Sequence, residues 1–490
     1  MAHNALRAGL AGMVLLGGLA GNTIAQVTWQ RAYGGQGMQE GHGIRQVADG
    51  GFIVVGSTGS VGQGPGEVYV LKLDSMGLRE WSQAYAGAGV RQGWAIRQMP
   101  DESYVVAGFE DAGEGHGYDG LLMRIDNAGQ LIWQRDIGTP DWDFFYDLEV
   151  MEDGFVLAGA TYGSGIGAQA WVVRTDWDGD VMWEQYMGMG EGTEARCLRR
   201  TTDGGLVVAG SLGTGGGGRS AFIAKLSANG PLEWVTPIPE SGGNAGYSVV
   251  ETGDGGYAIG GYTVFPERRV MLLAKTDADG SLQWINHVEG GTGNWEGRSI
   301  RVDYGGGLVL SGITTSYGNG EEDFYMARTD ALGNWVSGPS FGTSAMDQCW
   351  DMDMTADGGY VMAGTTWGAG INISSVYVVK NAGGTIPQPL VAELDPLQVQ
   401  VVEGGSGIHA YPNPAHPGGV LHIDLAVQGQ GNWTASLYEA SGRQVASLAV
   451  GGRPPAQVLL PAPLQPGCYV LRVKTDNGRV LSTVVAIMQE

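Results

Sequence analysis

The chain has 490 residues, of which 87 are glycine, with 43% hydrophobic and only 16% charged residues. Its 15 Trp and 19 Tyr exclude a disordered low-complexity chain and point to many short strands joined by Gly-rich turns. A formal net charge of −24 repels phosphate backbones, so nucleic acid and anionic membrane are not expected partners.

Arg7, the apolar run from Ala8 to Ala20 and the small residues of Thr23-Ile24-Ala25 read as a signal peptide over residues 1–25, cleaved before Gln26. That run is shorter than the roughly 20 residues a membrane helix needs, and no later segment is long and apolar enough. The mature chain is therefore expected outside the cytoplasm and not integral to a membrane. Cys197, Cys349 and Cys468 form no CxxC pair and read as small buried hydrophobes rather than a disulfide framework.

From residue 26 to residue 380 the sequence repeats itself seven times. Trp recurs at Trp29, Trp81, Trp133, Trp183, Trp234, Trp284 and Trp335, at intervals of 50 to 52 residues. A Gly-rich turn, mostly Asp-Gly-Gly, precedes a large apolar residue at Phe52, Tyr104, Phe155, Leu206, Tyr257, Leu308 and Tyr360. A third marker is an apolar strand ending in a basic residue: Lys72, Arg124, Arg174, Lys225, Lys275, Arg328 or Lys380. Each repeat reads as four antiparallel strands, the unit of a propeller blade. In the first, Ile44 to Val47, Phe52 to Ser57, Val68 to Leu73 and Trp81 to Tyr85 are the expected strands.

The ends of the array predict how it closes. The strand at Trp29 precedes the first full repeat, while the last repeat stops at Lys380 without its Trp strand. The leading strand then completes the last blade, giving an all-β, seven-bladed β-propeller. The tryptophans are expected to pack between blades, and the Asp–Gly turns (Asp74 to Gly77, Asp126 to Gly129, Asp330 to Gly333) to be turn chemistry. Asp176, Asp178 and Asp180 resemble the opening of a calcium loop, but the twelfth position is Met187 instead of a bidentate Glu. No cofactor or metal is expected, with calcium the one alternative.

Residues 381–407, with Pro387, Pro389 and Pro396, read as a linker able to hold a short strand. A different β-rich module follows over residues 408–490. It carries Ala410-Tyr411-Pro412-Asn413-Pro414, then Leu437-Tyr438-Glu439-Ala440-Ser441-Gly442-Arg443, then Leu464 to Val473 with Gly467 and Tyr469. In these three ordered motifs it resembles the type A C-terminal sorting domain of the type IX secretion system of Bacteroidetes. The tail departs from that family in lacking a Lys near its end. The resemblance implies a small seven-stranded, Ig-like β-sandwich and the type IX machinery as a partner. It also implies translocation across the outer membrane and a cargo either released or attached to the cell surface. The Gly-rich repeats, too, are similar to those of exported Bacteroidetes proteins bearing this tail, a group with no general activity attached.

A binding site is expected on the face with the variable loops. The first candidates are Asp141, Trp142, Asp143, Phe144 and Tyr146, then Asn294, Trp295 and Glu296, where aromatic faces flanked by carboxylates and amides suit sugars or a protein partner. Near the start of the innermost strand, one position reads His42, Trp94, Tyr146, Arg196, Tyr247, Arg298 and Trp350, a set placed to rim the central channel. Three residues on stand Arg45, Arg97, Glu149, Arg199, Arg301 and Asp353, whose plain reading is ion pairing between blades. The only histidines of the propeller, His42, His116 and His287, fall in different loop types and give no metal triad or nucleophile–base pair. The expectation is a monomeric, non-catalytic secreted or surface protein binding extracellular polysaccharide or protein. The alternatives are a carbohydrate hydrolase or lyase using loop carboxylates (Asp141 and Asp143, or Glu321, Glu322 and Asp323) and a passive component of a surface coat.

Overall fold

A computed structural model describes residues 28–382 apart from 36, 60–65, 88, 112, 114–116, 164, 166, 188–191, 215–217 and 371–372, and beyond them residue 390 and the strands named below. The signal segment 1–25 and His116 lie outside the described residues. Among the described residues, no helix is long and apolar enough to cross a membrane.

The second strand of each repeat explains why strands form. Phe52–Thr58 is a run of apolar and β-branched residues, every one buried, as a strand sandwiched between two neighbouring sheets requires. Blade 1 pairs Gln39–Gln46, Phe52–Thr58, Glu67–Leu73 and Arg79–Ala86 in that order. Its inner strand starts five residues earlier than the apolar run at Ile44 suggests. Blades 2 to 6 repeat this order, beginning with inner strands Arg91–Gln98, Asp143–Val150, Glu194–Arg200, Asn244–Glu251 and Trp295–Val302. Blade 7 is Asp347–Met354, Tyr360–Thr366 and Ser375–Asn381, completed by Trp29–Gly34 from the other end of the chain. Trp29 faces Lys380 and Tyr33 faces Val376 in this antiparallel closure. The protein is an all-β, seven-bladed propeller.

The first two sequence markers meet where blades are held together, as Trp29 on Phe52 and Trp81 on Tyr104, and the third acts within its own blade. In six of the seven seams, the outer-strand Trp lies over the glycine of the next blade's turn between third and fourth strands, an Asp–Gly turn in five and Ser227 to Gly230 in blade 4. Trp29 covers Gly77, Trp81 covers Gly129, and so on to Trp284 over Gly333. Those glycines have φ between 75° and 102°, where the left-handed backbone favours glycine, and a Cβ on any of them would stand 2.5–3.2 Å from the indole. The buried Trp29 contributes about 2–3 kcal/mol, and the half-buried indoles of the other five seams less. Trp335 is the exception: it is 47% exposed, because blade 7 takes its outer strand from the N-terminal side and so has no such hairpin turn. The basic residue ending the third strand pairs with the aspartate of the blade's own first turn, as in Lys72 with Asp49 at 2.8 Å and Lys275 with Asp254 at 2.7 Å. These lysines are almost wholly buried, and the ion pair satisfies a charge that burial would otherwise make costly.

The segment expected to be a linker is partly built into the ring. Val391–Leu394 pairs in parallel with Trp29–Gly34, and Gln398–Val401 pairs in parallel with Arg79–Ala86. The chain thus runs along the outer edges of blades 7 and 1, covering two strand edges beside the closure, with Arg31 bonded to Glu393 at 2.7 Å. Beyond it lie a three-stranded sheet (Ile408–Tyr411, Val420–Leu425, Ala456–Leu459) and a four-stranded sheet (Gln444–Val450, Trp433–Glu439, Gly467–Thr475, Val480–Ile487). Ala435, Leu437, Tyr469 and Leu471 are buried. Tyr411 and Gly467 fall on strands, while Pro412, Asn413, Pro414 and Gly442 lie outside the described residues.

Candidate functional site: an aromatic run to the central cavity

Every inner strand carries a β-bulge, and the bulged residue is the one at the repeating position. Pairing with the second strand skips His42 between Gly41 and Gly43, Trp94 between Gly93 and Ala95, and Tyr146 between Phe145 and Asp147. Arg196, Tyr247, Arg298 and Trp350 are skipped in the same way. A bulge frees one residue from the ladder and re-aims its side chain. Opposite each bulge the second strand has glycine, from Gly56 in blade 1 to Gly364 in blade 7. A Cβ at Gly56 would stand 1.8 Å from the Glu40 carbonyl oxygen, and at Gly364 1.9 Å from that of Gln348. The glycine therefore makes the bulge possible.

All seven bulged side chains line one central cavity of about 240 Å³. They touch around the ring. His42 stacks on Trp94 at 4.4 Å, Trp94 meets Tyr146 and Trp350 edge-on at 5.7 Å each, and the Arg196 guanidinium lies 4.0 Å from the Tyr146 ring centre. Arg298 lies between Tyr247 and Trp350, at 4.4 and 4.5 Å. Burial, working against nearby Arg196, pushes the Tyr146 hydroxyl up to about 12, so it is a neutral hydrogen-bond donor at physiological pH.

The layer beneath is an ion-pair lattice, as the plain reading expected. Asp147 of blade 3 is held between Arg97 of blade 2 (2.9 Å) and Arg199 of blade 4 (2.5 Å). Asp351 of blade 7 stands likewise between Arg301 of blade 6 (3.6 Å) and Arg45 of blade 1. Burial alone would raise the Asp147 carboxyl, but Arg199, Arg97 and Arg45 hold it well below the usual carboxylate range. Burial, with Arg199 and Arg45 close by, lowers Arg301 to about 10. This lattice ties blades together across the channel and forms the floor of the cavity.

The sequence candidates divide sharply. Trp94, Tyr146, Tyr247 and Trp350 come together on the cavity wall. Trp142 is 53% exposed on the same face, and its ring contacts Tyr118 at 6.0 Å, Tyr162 at 5.9 Å and Phe144 at 6.5 Å. Phe144 stacks on Tyr146 at 6.2 Å with the planes 6° apart. One unbroken aromatic run therefore leads from an exposed indole to the cavity. Phe109, Tyr118 and Tyr162 belong to it and were missed, since only the fold brings their separate strands beside Trp142. Asp141 is exposed at its outer end.

In the second loop the candidate side chains are buried or bonded within the protein. Trp295 is wholly buried, edge-on to Tyr325 at 4.6 Å, with its indole N–H donated to the Gly290 carbonyl at 2.9 Å. Glu296 is buried against Arg298 at 2.6 Å and against Arg269. Asn294 is exposed but accepts the Arg269 N–H at 2.9 Å, fixing its loop. Asp143 is also buried, and its Oδ2 accepts the Thr139 N–H at 2.5 Å.

The described histidines and cysteines of the propeller are tied into the fold. His42 is buried with Nδ1 at 2.9 Å from the Gly93 carbonyl, and His287 lies on an outer strand beside Glu240. Burial pushes the Cys197 thiol up to about 11 and Cys349 up to about 12, which keeps both protonated and unreactive. Asp176 Oδ1 accepts the N–H groups of Asp178 and Asp180, each at 2.9 Å, so that cluster is a tight turn.

No protein-family model matches the chain, and no curated protein matches it. Among solved structures, it is similar to a fungal alcohol oxidase of the AA5 family in complex with copper. That match has 12% identity and a TM-score of 0.46, covering 94% of this chain and 98% of that one. The Neurospora crassa Pan2 WD40 domain matches at 10% identity and TM-score 0.42, over 72% of this chain and 91% of that one. A protein of unknown function from Bacteroides caccae matches at 10% identity and TM-score 0.28, over 69% and 96%. Likenesses this remote carry no argument here, and the propeller rests on its own strand pairing.

Proposed function

We propose that this chain is an exported, non-catalytic binding protein whose propeller holds extracellular polysaccharide along the run from Trp142 to the central ring. The observation that carries the reading is the continuity of that run, with Trp142 open to solvent and Trp94 and Tyr146 on the cavity wall. Aromatic faces bind sugar rings through their C–H surfaces, and neighbouring guanidiniums, tyrosine hydroxyls and Asp141 bind the hydroxyls. The cavity holds one or two sugar-sized groups, which suits a chain end or a side branch. Residues 1–25 act as the export signal. The module at 408–490 acts as a β-sandwich address for the type IX machinery, on the strength of its three motifs.

The full chain passed over immobilised extracellular polysaccharides is expected to be retained by at least one, with retention lost in Trp142→Ala. Equal retention of both proteins would remove the site. Breakdown of the retained polymer would replace binding with catalysis.

A further inference from the structure

Where two blades meet, the start of a third strand stands beside the first residue of the next blade's inner strand. This pair is Ser220 and Asn244 between blades 4 and 5, where the N–H of the adjoining Ala221 is donated to Asn244 Oδ1, and by the same register Val270 and Trp295 between blades 5 and 6. In two of the seven seams both members are carboxylates. Between blades 6 and 7, a Cβ on Gly342 would stand 1.9 Å from Asp323 Oδ1 and 2.8 Å from Asp347 Oδ2. Between blades 2 and 3, a Cβ on Gly138 would stand 2.5 Å from Asp119 Oδ1 and 2.8 Å from Asp143 Oδ2. Two acids thus converge over one glycine, twice.

The local hydrogen bonds do not explain this. Thr343 donates its N–H and hydroxyl to Asp347 Oδ2 at 2.6 and 3.0 Å, and Thr139 does the same to Asp143 Oδ2 at 2.5 and 2.9 Å. Asp323 Oδ1 and Asp143 Oδ1 remain buried with no hydrogen-bond partner, on residues 2% and 0% exposed. A buried anionic oxygen left unpaired is costly. The seam between blades 1 and 2 shows what belongs there. Over Gly87, the matching glycine, lies the side chain of Arg91, with Nε 2.7 Å from where a Cβ would be and its guanidinium paired to Glu110. In that seam a positive charge occupies the spot.

We propose that the seams between blades 2 and 3 and between blades 6 and 7 each bind a calcium ion, through Asp119 with Asp143 and through Asp323 with Asp347. All-oxygen donors select a hard cation over zinc or copper. No group of three His, Cys, Asp or Glu side chains stands together among the described residues, so backbone carbonyls and water fill the other positions. Two carboxylates per ion set the affinity in the range of extracellular modules, on the order of 10⁻⁴–10⁻³ M.

The test takes the full chain stripped with EDTA and follows Tm during titration with CaCl2, with NaCl at matched ionic strength as control. Terbium luminescence, sensitised through Tyr377 and Trp142, counts sites independently. The expected result is a saturable rise in Tm specific to calcium and two terbium sites, one lost in Asp323→Asn and the other in Asp143→Asn. Both variants keep the shape of the carboxylate and remove like-charge repulsion, so without calcium they are expected to melt at or above the stripped parent. A rise reproduced by NaCl, or a terbium count unchanged in both variants, overturns the proposal.

Discussion

Trp81, on the outer strand of blade 1, lies against Gly129 in the turn of blade 2, with only 2.9 Å between its ring and the place a Cβ would take. That contact recurs around the ring as far as Trp284 on Gly333 and makes each turn glycine both a backbone and a packing requirement.

Gly129→Ala is therefore expected to cost more than Gly50→Ala. Gly50 has a similar φ of 82° but nothing within 4 Å of its Cβ position, so its variant suffers backbone strain alone, about 1 kcal/mol. The added steric conflict with Trp81 brings Gly129→Ala to about 2–4 kcal/mol. Chemical denaturation of both variants checks the difference, and equal losses would mean the indole does not lock the seam.

The bulge depends on its facing glycine. In Gly312→Ala the new methyl meets the Glu296 carbonyl oxygen 1.8 Å away, so the inner strand of blade 6 must shift and carry Arg298 off the Tyr247 and Trp350 rings. Reduced stability together with altered near-UV circular dichroism is expected. An unchanged aromatic spectrum would separate the bulge from the ring.

Glu67 gives the fold a pH signature. Burial, opposed by Arg91, raises its carboxyl to about 8, and its Oε2 has no hydrogen-bond partner. The folded state thus binds this proton more tightly than the unfolded chain, whose Glu titrates near 4.3. The stabilisation is complete below about pH 4 and is lost as pH rises through about 8. Glu67→Gln is expected to narrow the Tm difference between pH 5 and pH 8.5. A gap as wide as the parent's would show that Glu67 ionises freely.

Much of this was legible in the sequence because seven copies compare themselves. Repetition exposed the blade count, the closure by Trp29 and the ring position from His42 to Trp350. It did not reveal which side of the backbone a loop residue takes. Trp142 stands one residue before its inner strand and Trp295 is the first residue of its own, a one-residue difference that turns an indole from solvent into a seam. Trp335 followed the repeat in sequence yet lost its partner turn, because the closure itself removes that hairpin. The strand pairing of 391–394 and 398–401 carried no signal, since parallel pairing to distant edges leaves no local pattern.

Export offers a test separate from binding. Truncation after residue 407 is expected to leave the propeller folded but confined to the periplasm, as read by fractionation and immunoblot. Normal appearance of the truncated chain in the medium or on the surface would break the link to type IX secretion.

The most direct measurement compares two exposed tryptophans on the same propeller, 53% exposed at Trp142 and 47% at Trp335. With the polysaccharide that retains the full chain, Trp142→Ala is expected to raise Kd by about tenfold or more, and Trp335→Ala to leave it unchanged. Equal effects of the two substitutions would contradict a binding site on the aromatic run.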